Sequence, residues 1–202
     1  MELLMAGTRG QAKDLLSIFQ YENHIRKVVL FDDHSVGTSD LLFGKYPILR
    51  SKEEAQRYFV EVSPAFLSAI GSPSKRRTVT QRLISYGGEP MTFRSSRSNI
   101  SDLSLISEEG VIILVHCDIG PEVVIEKGCL INVKVIIEPS VHIGEYTTVA
   151  PDVLIMEGAR IGKNCIISTG VIIMPGVQIG NNVKVWMNKI VTTDLPDNTN
   201  FL

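Results

Sequence analysis

Excess charge of one sign, paired cysteines and long apolar runs are all missing from this chain, and each gap removes a class of function. Its 202 residues carry 20 Lys and Arg against 22 Asp and Glu, for a formal net charge of −2. No field of one sign is therefore present to attract nucleic acid. The one basic run, Lys75-Arg76-Arg77, reads as a solvated helix face. The cysteines are Cys117, Cys129 and Cys165, an odd set without C-x-x-C spacing. That argues against a disulfide framework and against a zinc site, so no metal is expected. No apolar stretch reaches the ~18 residues that a membrane span requires. The opening Met1-Glu2-Leu3-Leu4-Met5-Ala6-Gly7 has no basic segment and meets a glycine too soon for a secretory leader. The expected setting is cytoplasmic. With a hydrophobic share of 44% and a charged share of 21%, the chain is ordinary globular material, long enough to bury a core.

What is present is a six-residue period. Stepping from Ile113 gives Ile119, Ile125, Ile131, Ile137, Ile143, Val149, Ile155, Ile161, Ile167, Ile173, Ile179, Val185 and Val191. All are β-branched, with no insertion. Neither a 3.6-residue helix nor a simple alternating strand requires this register, and fixed-period self-similarity is the mark of a solenoid. Two positions ahead of each lies a second, mostly small set that includes the three cysteines, Thr147 and, at the end, Lys189. Residues two apart on a strand share a face, so both sets are expected inside, which makes the cysteines core residues. Gly120, Gly144, Gly162 and Gly180 follow ladder positions and are expected to give the backbone the freedom of a tight corner.

The first half reads as an α/β unit. Leu3–Ala6 is a short apolar strand, Gly7-Thr8-Arg9-Gly10-Gln11 a turn, and Asp14–Phe19 an amphipathic helix. Val28–Phe31 is a second strand ending at Asp32-Asp33. Lys52–Phe59 is helical, Ala65–Ile70 is a third strand ending at Gly71-Ser72, and Arg77–Ile84 is a further helix. Strand, glycine turn, helix, then strand with a terminal acid is the order of a nucleotide-binding unit. The Gly7/Gly10 turn falls short of a full G-x-G-x-x-G and equally suits a plain strand–helix turn. Asp32 and Asp33 either contact a ribose or base edge or begin a turn. The expected division is residues 1–98 and 99–202.

Together the halves resemble the hexapeptide-repeat sugar acyltransferases of the sialic acid O-acetyltransferase and bacillosamine-pathway N-acetyltransferase type. The resemblance rests on Gly7-Thr8-Arg9-Gly10-Gln11-Ala12-Lys13, Leu30-Phe31-Asp32-Asp33, Ala69-Ile70-Gly71, Ile125-Glu126-Lys127-Gly128 through Ile143-Gly144-Glu145-Tyr146, Ile161-Gly162-Lys163-Asn164 and Leu195-Pro196-Asp197-Asn198. It implies a Rossmann-like domain that holds a nucleotide sugar, followed by a left-handed parallel β-helix of three hexads per coil, four to five coils in all. It also implies a homotrimer that binds acetyl-CoA between subunits, with a β-helix histidine as general base. The implied substrate site is Gly7, Thr8, Arg9, Gly10, Gln11, Asp32, Asp33, Gly71 and Ser72. Glu157, Thr169 and Met187 fall at the positions of the CoA groove.

The chain departs from the family pattern where the chemistry sits. Ile137-Glu138-Pro139-Ser140-Val141-His142-Ile143-Gly144 carries Pro139 at the position of the base and Ser140 at that of its acidic partner. Thr148, Gln11 and Ser95 stand where the family has further histidines. The remaining candidates for a base are His142, set between two inward residues and so facing outward, and Glu138. His142 is expected to stack between Val124 and Arg160, and is equally readable as a surface histidine. Two functions follow. One is an acetyl-CoA-dependent acyltransferase acting on an amino sugar or nucleotide sugar with an atypical base. The alternative is a non-catalytic trimeric sugar-nucleotide binder or scaffold derived from that family.

Overall fold

The computed structural model describes residues 1–34 and 39–202. The chain forms two compact units, the first made of Met1–Gly71 and Lys75–Met91 and the second of Thr92–Leu202 with Ser72–Ser74. The main division thus falls at Met91 rather than after Ser98. The reason is strand pairing: Phe93–Arg94 already forms a parallel bridge with Ile112–Ile113 of the solenoid. Among the described residues no helix is long and apolar enough to cross a membrane.

The first unit is built from β1 (Glu2–Ala6), α1 (Gly10–Phe19), β2 (Lys27–Phe31), β3 (Leu41–Leu42), β4 (Tyr46–Leu49), α2 (Lys52–Glu61), β5 (Ala65–Ser68), α3 (Pro73–Ser85) and β6 (Glu89–Pro90). The sheet order is β3-β4-β2-β1-β5-β6. All pairs are parallel except β3 with β4. β1 is central, and Leu3 to Ala6 are buried without alternation, the pattern of a parallel strand covered on both sides. Helix α1 buries Ala12, Leu15, Leu16 and Phe19, a stripe at helical spacing, with Ile18 beside it. Helix α2 opens with a capping box, Ser51 accepting from the Glu54 N–H while the Glu54 carboxylate accepts from the Ser51 N–H. Helix α1 has no such cap, its N-cap being Arg9.

Helix α3 starts ahead of the expected Arg77, and the basic run on it is not a solvated face throughout. Lys75 and Arg77 are exposed, but Arg76 is 1% exposed. Its guanidinium donates to the carbonyls of Ile70 (2.7 Å) and Gly71 (3.2 Å). A buried guanidinium needs acceptors, and these carbonyls lie just past β5.

The second unit is a stack of coils with three parallel sheets as faces. The first face has seven strands, from Phe93–Arg94 to Asn200–Phe201; the second six, from Asn99–Ile100 to Ile190–Val191; the third five, from Leu105–Ile106 to Gln178–Ile179. Ile113 pairs with Ile131, Ile131 with Val149, Val149 with Ile167 and Ile167 with Val185, each eighteen residues on. None of the fourteen ladder residues is more than 4% exposed. Each contributes on the order of 1.5–3 kcal/mol of burial. The companion set is buried as well, Lys189 excepted. The cysteine thiols donate to Asn132, Gly144 and Gly180 carbonyls at 3.0–3.1 Å. The Thr147 hydroxyl donates to the Gly162 carbonyl (2.8 Å) and accepts the Cys165 N–H (3.0 Å).

The stack is taller than four to five coils because both ends leave the eighteen-residue register. Ile113 pairs with Arg94, Ile119 with Ile100 and Ile125 with Ile106, nineteen residues back. At the other end Val185 pairs with Phe201 and Ile179 bridges Leu195, sixteen residues on.

The glycines after the ladder positions are needed for space rather than for backbone freedom. Gly120, Gly144, Gly162 and Gly180 are not among the positive-φ residues. A Cβ at Gly144 would sit 2.8 Å from the Gly162 carbonyl carbon, and one at Gly162 would sit 2.6 Å from that of Gly180. The left-handed position lies elsewhere. It is the residue three before each ladder member, from Gly110 to Asn188, occupied by glycine, asparagine and several larger residues alike.

Candidate functional site

In the first unit the functional candidates gather at the C-terminal ends of the parallel strands. Gly7 leaves β1 at φ +111, and a Cβ there would lie 2.9 Å from the Ala69 carbonyl oxygen. Only glycine lets this turn come so close to the end of β5. The Thr8 hydroxyl donates to one Asp32 carboxylate oxygen, and the other accepts the His34 N–H at 3.1 Å. Asp33 is committed differently: it forms an ion pair with Arg82 of α3 at 2.9 Å, and that guanidinium lies over the Phe31 ring. Gln11 turns Nε2 into a buried position without a hydrogen-bond partner among the described residues. Arg9 and Gly10 are exposed, and Gly71 accepts from Arg76; Ser72, which groups with the second unit, lies 3.4 Å from Ser74, hydroxyl to hydroxyl. The structure therefore brings Gly7, Thr8 and Asp32 together and neutralises Asp33. Arg82 had no signal in the sequence, since it meets Asp33 from 49 residues away.

In the second unit His142 lies on the third face in register with Val124 on one side and Arg160 on the other. Its Nε2 is 3.1 Å from Glu126 Oε1, and both side chains are 31% exposed. The second Glu126 oxygen accepts the Glu145 N–H at 3.0 Å. Glu126 also lines a cavity of about 690 Å³ with Val124, Leu105, Glu108 and Arg94. Arg94 and Glu108 are paired at 2.6 Å. Sequence reading missed Glu126. The signal was there: the next three members of its column are Gly144, Gly162 and Gly180, which carry no side chain.

Pro139 and Glu138 sit on the corner between the second and third faces. Glu138 accepts the Glu157 N–H at 2.9 Å, which ties one carboxylate oxygen to the corner of the next coil. The three groove positions do not share one corner. Thr169 and Met187 lie between the first and second faces, and Glu157 between the second and third. All three side chains are exposed, so Glu157 and Met187 stand outward and fill no interior space. A Cβ at Gly158 or Gly176, beside Glu157 and its stacking neighbour Pro175, would meet nothing within 4 Å. Along the second face run Ile136, Leu154, Ile172 and Ile190 in mutual register, with Ile136 47% and Ile190 56% exposed. Lys127 pairs with Glu109 and Lys163 with Glu145, two separate surface contacts of small energetic weight. Among the described residues no group of three or more His, Cys, Asp or Glu is placed to hold a metal ion.

Residues 158–193 match the family model described as bacterial transferase hexapeptide (six repeats). No curated protein matches the sequence. Among solved structures, the fold is similar to a histidine-to-asparagine variant of perosamine N-acetyltransferase from Caulobacter crescentus in complex with CoA and GDP-perosamine. Identity is 18% and the TM-score 0.87, with 98% of this chain and 91% of that chain covered. It is likewise similar to the acetyltransferase domain of PglB from Neisseria gonorrhoeae in complex with acetyl coenzyme A, at 17% identity, TM-score 0.84 and 98% and 93% coverage. WeeI from Acinetobacter baumannii aligns at 19% identity, TM-score 0.53 and 98% and 94% coverage. The chain carries bacterial transferase hexapeptide repeats and has, in both units, the fold of sugar N-acetyltransferases.

Proposed function

We propose that this hexapeptide-repeat chain is an acyltransferase that moves an acetyl group from acetyl-CoA to an amino sugar carried on a nucleotide. The observation that carries the reading is the extent of the likeness. The fold match runs through 98% of the chain, α/β unit included, to an enzyme whose structure holds CoA and GDP-perosamine. A solenoid alone would support only the acyl-donor half of that reading.

The first unit is read as Rossmann-like because its parallel strands run β4-β2-β1-β5-β6, and ligands in such sheets bind at the strands' carboxyl ends. There Thr8 and Asp32 supply the polar groups for a ribose, and the uncapped α1 leaves its first N–H groups for a diphosphate. Arg9, Gly10, Gln11 and Gly71 complete the substrate site. The solenoid is read as left-handed. The apolar stripe of Ile136, Leu154, Ile172 and Ile190 is the surface through which three copies associate. Acetyl-CoA, the co-substrate, is held along Thr169 and Met187 of one corner and Glu157 of another, beside the open space at Gly158 and Gly176. It supplies an activated thioester.

His142 is the general base in this reading. Pro139 has no proton-accepting atom, and Glu138 has one oxygen engaged by the Glu157 amide. Titration calorimetry with acetyl-CoA and with nucleotide amino sugars, followed by an assay for release of the free CoA thiol, tests the proposal. Saturable binding of both with thiol release is expected. Pro139 favours a second reading, a non-catalytic trimeric binder or scaffold; nucleotide binding without any binding of acetyl-CoA decides for it.

A further inference from the structure

We infer that Glu126 is a positioning residue that fixes the tautomer of His142, restoring the oriented base that Pro139 does not provide; the inference rests on the reading of His142 as that base. Glu126 stands at the foot of a run of glycines in its own column. Its successors, Gly144, Gly162 and Gly180, each donate a backbone N–H to the coil above as Glu126 does, but none carries a side chain. For Gly144 and Gly162 a Cβ would press into the next coil's backbone. Glu126 has the room, and both carboxylate oxygens are used: Oε2 accepts the Glu145 N–H and Oε1 faces His142 Nε2.

A carboxylate only accepts. In the neutral ring the proton of the pair therefore sits on Nε2, which leaves the lone pair on Nδ1. Nδ1 makes no hydrogen bond among the described residues. With Oε2 held by the backbone, the carboxylate cannot swing away from the ring. Glu126 borders the cavity of about 690 Å³ together with Val124, the strand neighbour of His142, a volume in the range of small-molecule sites. In the transfer, the substrate's amine nitrogen bonds to the thioester carbonyl carbon while the nitrogen's proton moves to His142 Nδ1. The carbon–sulfur bond breaks, and that proton passes from the imidazolium to the departing thiolate, giving amide and free thiol. The wrong tautomer would present N–H to the nucleophile and block the first proton movement.

The test uses Glu126→Gln. A glutamine keeps an oxygen for the Glu145 amide but turns its NH2 toward Nε2. Nε2 must then accept, and the ring proton moves to Nδ1. The chain has four histidines, so two-bond proton–nitrogen NMR spectra of 15N-histidine-labelled protein resolve His142. The expected result is an Nε2–H ring in the parent and an Nδ1–H ring in E126Q, with an unchanged melting temperature. Activity should fall at least about tenfold in kcat with KM held, within the range of general-base contributions. Glu126→Asp should recover part of it, and E126Q should add nothing to His142→Ala. An unchanged spectrum in E126Q, or a full E126Q effect in the H142A background, overturns the role of Glu126 and leaves His142 as base intact. Parent-level activity in H142A overturns both.

Discussion

The α/β unit and the solenoid hold their side chains by different means. In the first unit a functional residue sits at the end of a strand and is steadied by whatever happens to reach it: Thr8 for Asp32, and Arg82 from a distant helix for Asp33. In the solenoid each residue belongs to a column, and its neighbours eighteen residues away decide what it can be. Gly162 is glycine because of Gly180. Glu126 meets His142 because one lies on a strand and the other on the corner of the coil beneath it. The first arrangement is set by loops and tolerates change one residue at a time. The second transmits any change along its column.

That contrast can be broken by mutation, beginning where the cost is greatest. Ile155→Ala removes a fully buried ladder residue and should cost about 3–4 kcal/mol. Calorimetry should show the loss in the solenoid transition, with the α/β transition unmoved; a shared shift would mean that the units unfold as one. Gly162→Ala should cost about 2–3 kcal/mol by forcing backbones apart. Gly158→Ala meets nothing within 4 Å and bears only the strain of φ +69, so urea unfolding should separate the two by 1 kcal/mol or more. Asp32→Ala should weaken nucleotide-sugar binding at least about tenfold, the weight of a hydrogen bond to a charged group. Acetyl-CoA binding should stay constant in the same titrations.

Two smaller effects sharpen the picture of the first unit. Ser51→Ala removes half of the α2 capping box and should cost about 1 kcal/mol, visible as faster amide exchange in the first turn of that helix. Tyr58 is the smallest case. Burial pushes its phenol up to about 12, and its hydroxyl has no hydrogen-bond partner among the described residues. Its folded-state pKa is raised, so its contribution is fully present below the ordinary tyrosine value near 10 and is lost as pH rises toward about 12. Tyr58→Phe should remove that alkaline loss from a pH series of melting temperatures, while stability at neutral pH stays the same or rises slightly.

The ladder could be read from the sequence because one physical requirement, an apolar β-branched residue facing inward, recurs at constant spacing. The end coils escaped because their pairing steps are nineteen and sixteen residues, which puts Ile100, Ile106, Leu195 and Phe201 off the period. The register alone places His142 beside Val124 and Arg160, since stacking follows from coil length. Its partnership with Glu126 joins a strand position to a corner position, which a register does not reveal. Arg76 looked like a surface charge because sequence shows the charge and not the two carbonyls waiting for it. The corner glycines were found for the wrong reason: sequence marks where a side chain is missing, and only the stack tells whether angle or space demanded it.

The constant pairing step also bears on how the solenoid folds. Every strand in its regular part meets a partner eighteen residues away, so each added coil closes a loop of the same length onto an edge that already exists. Loop-closure entropy is then a fixed toll per coil and does not grow with the height of the stack. The slow event is the first docking of two coils, before any edge is available. After it, growth is a series of equal local steps, and lengthening the solenoid should leave its folding rate nearly unchanged.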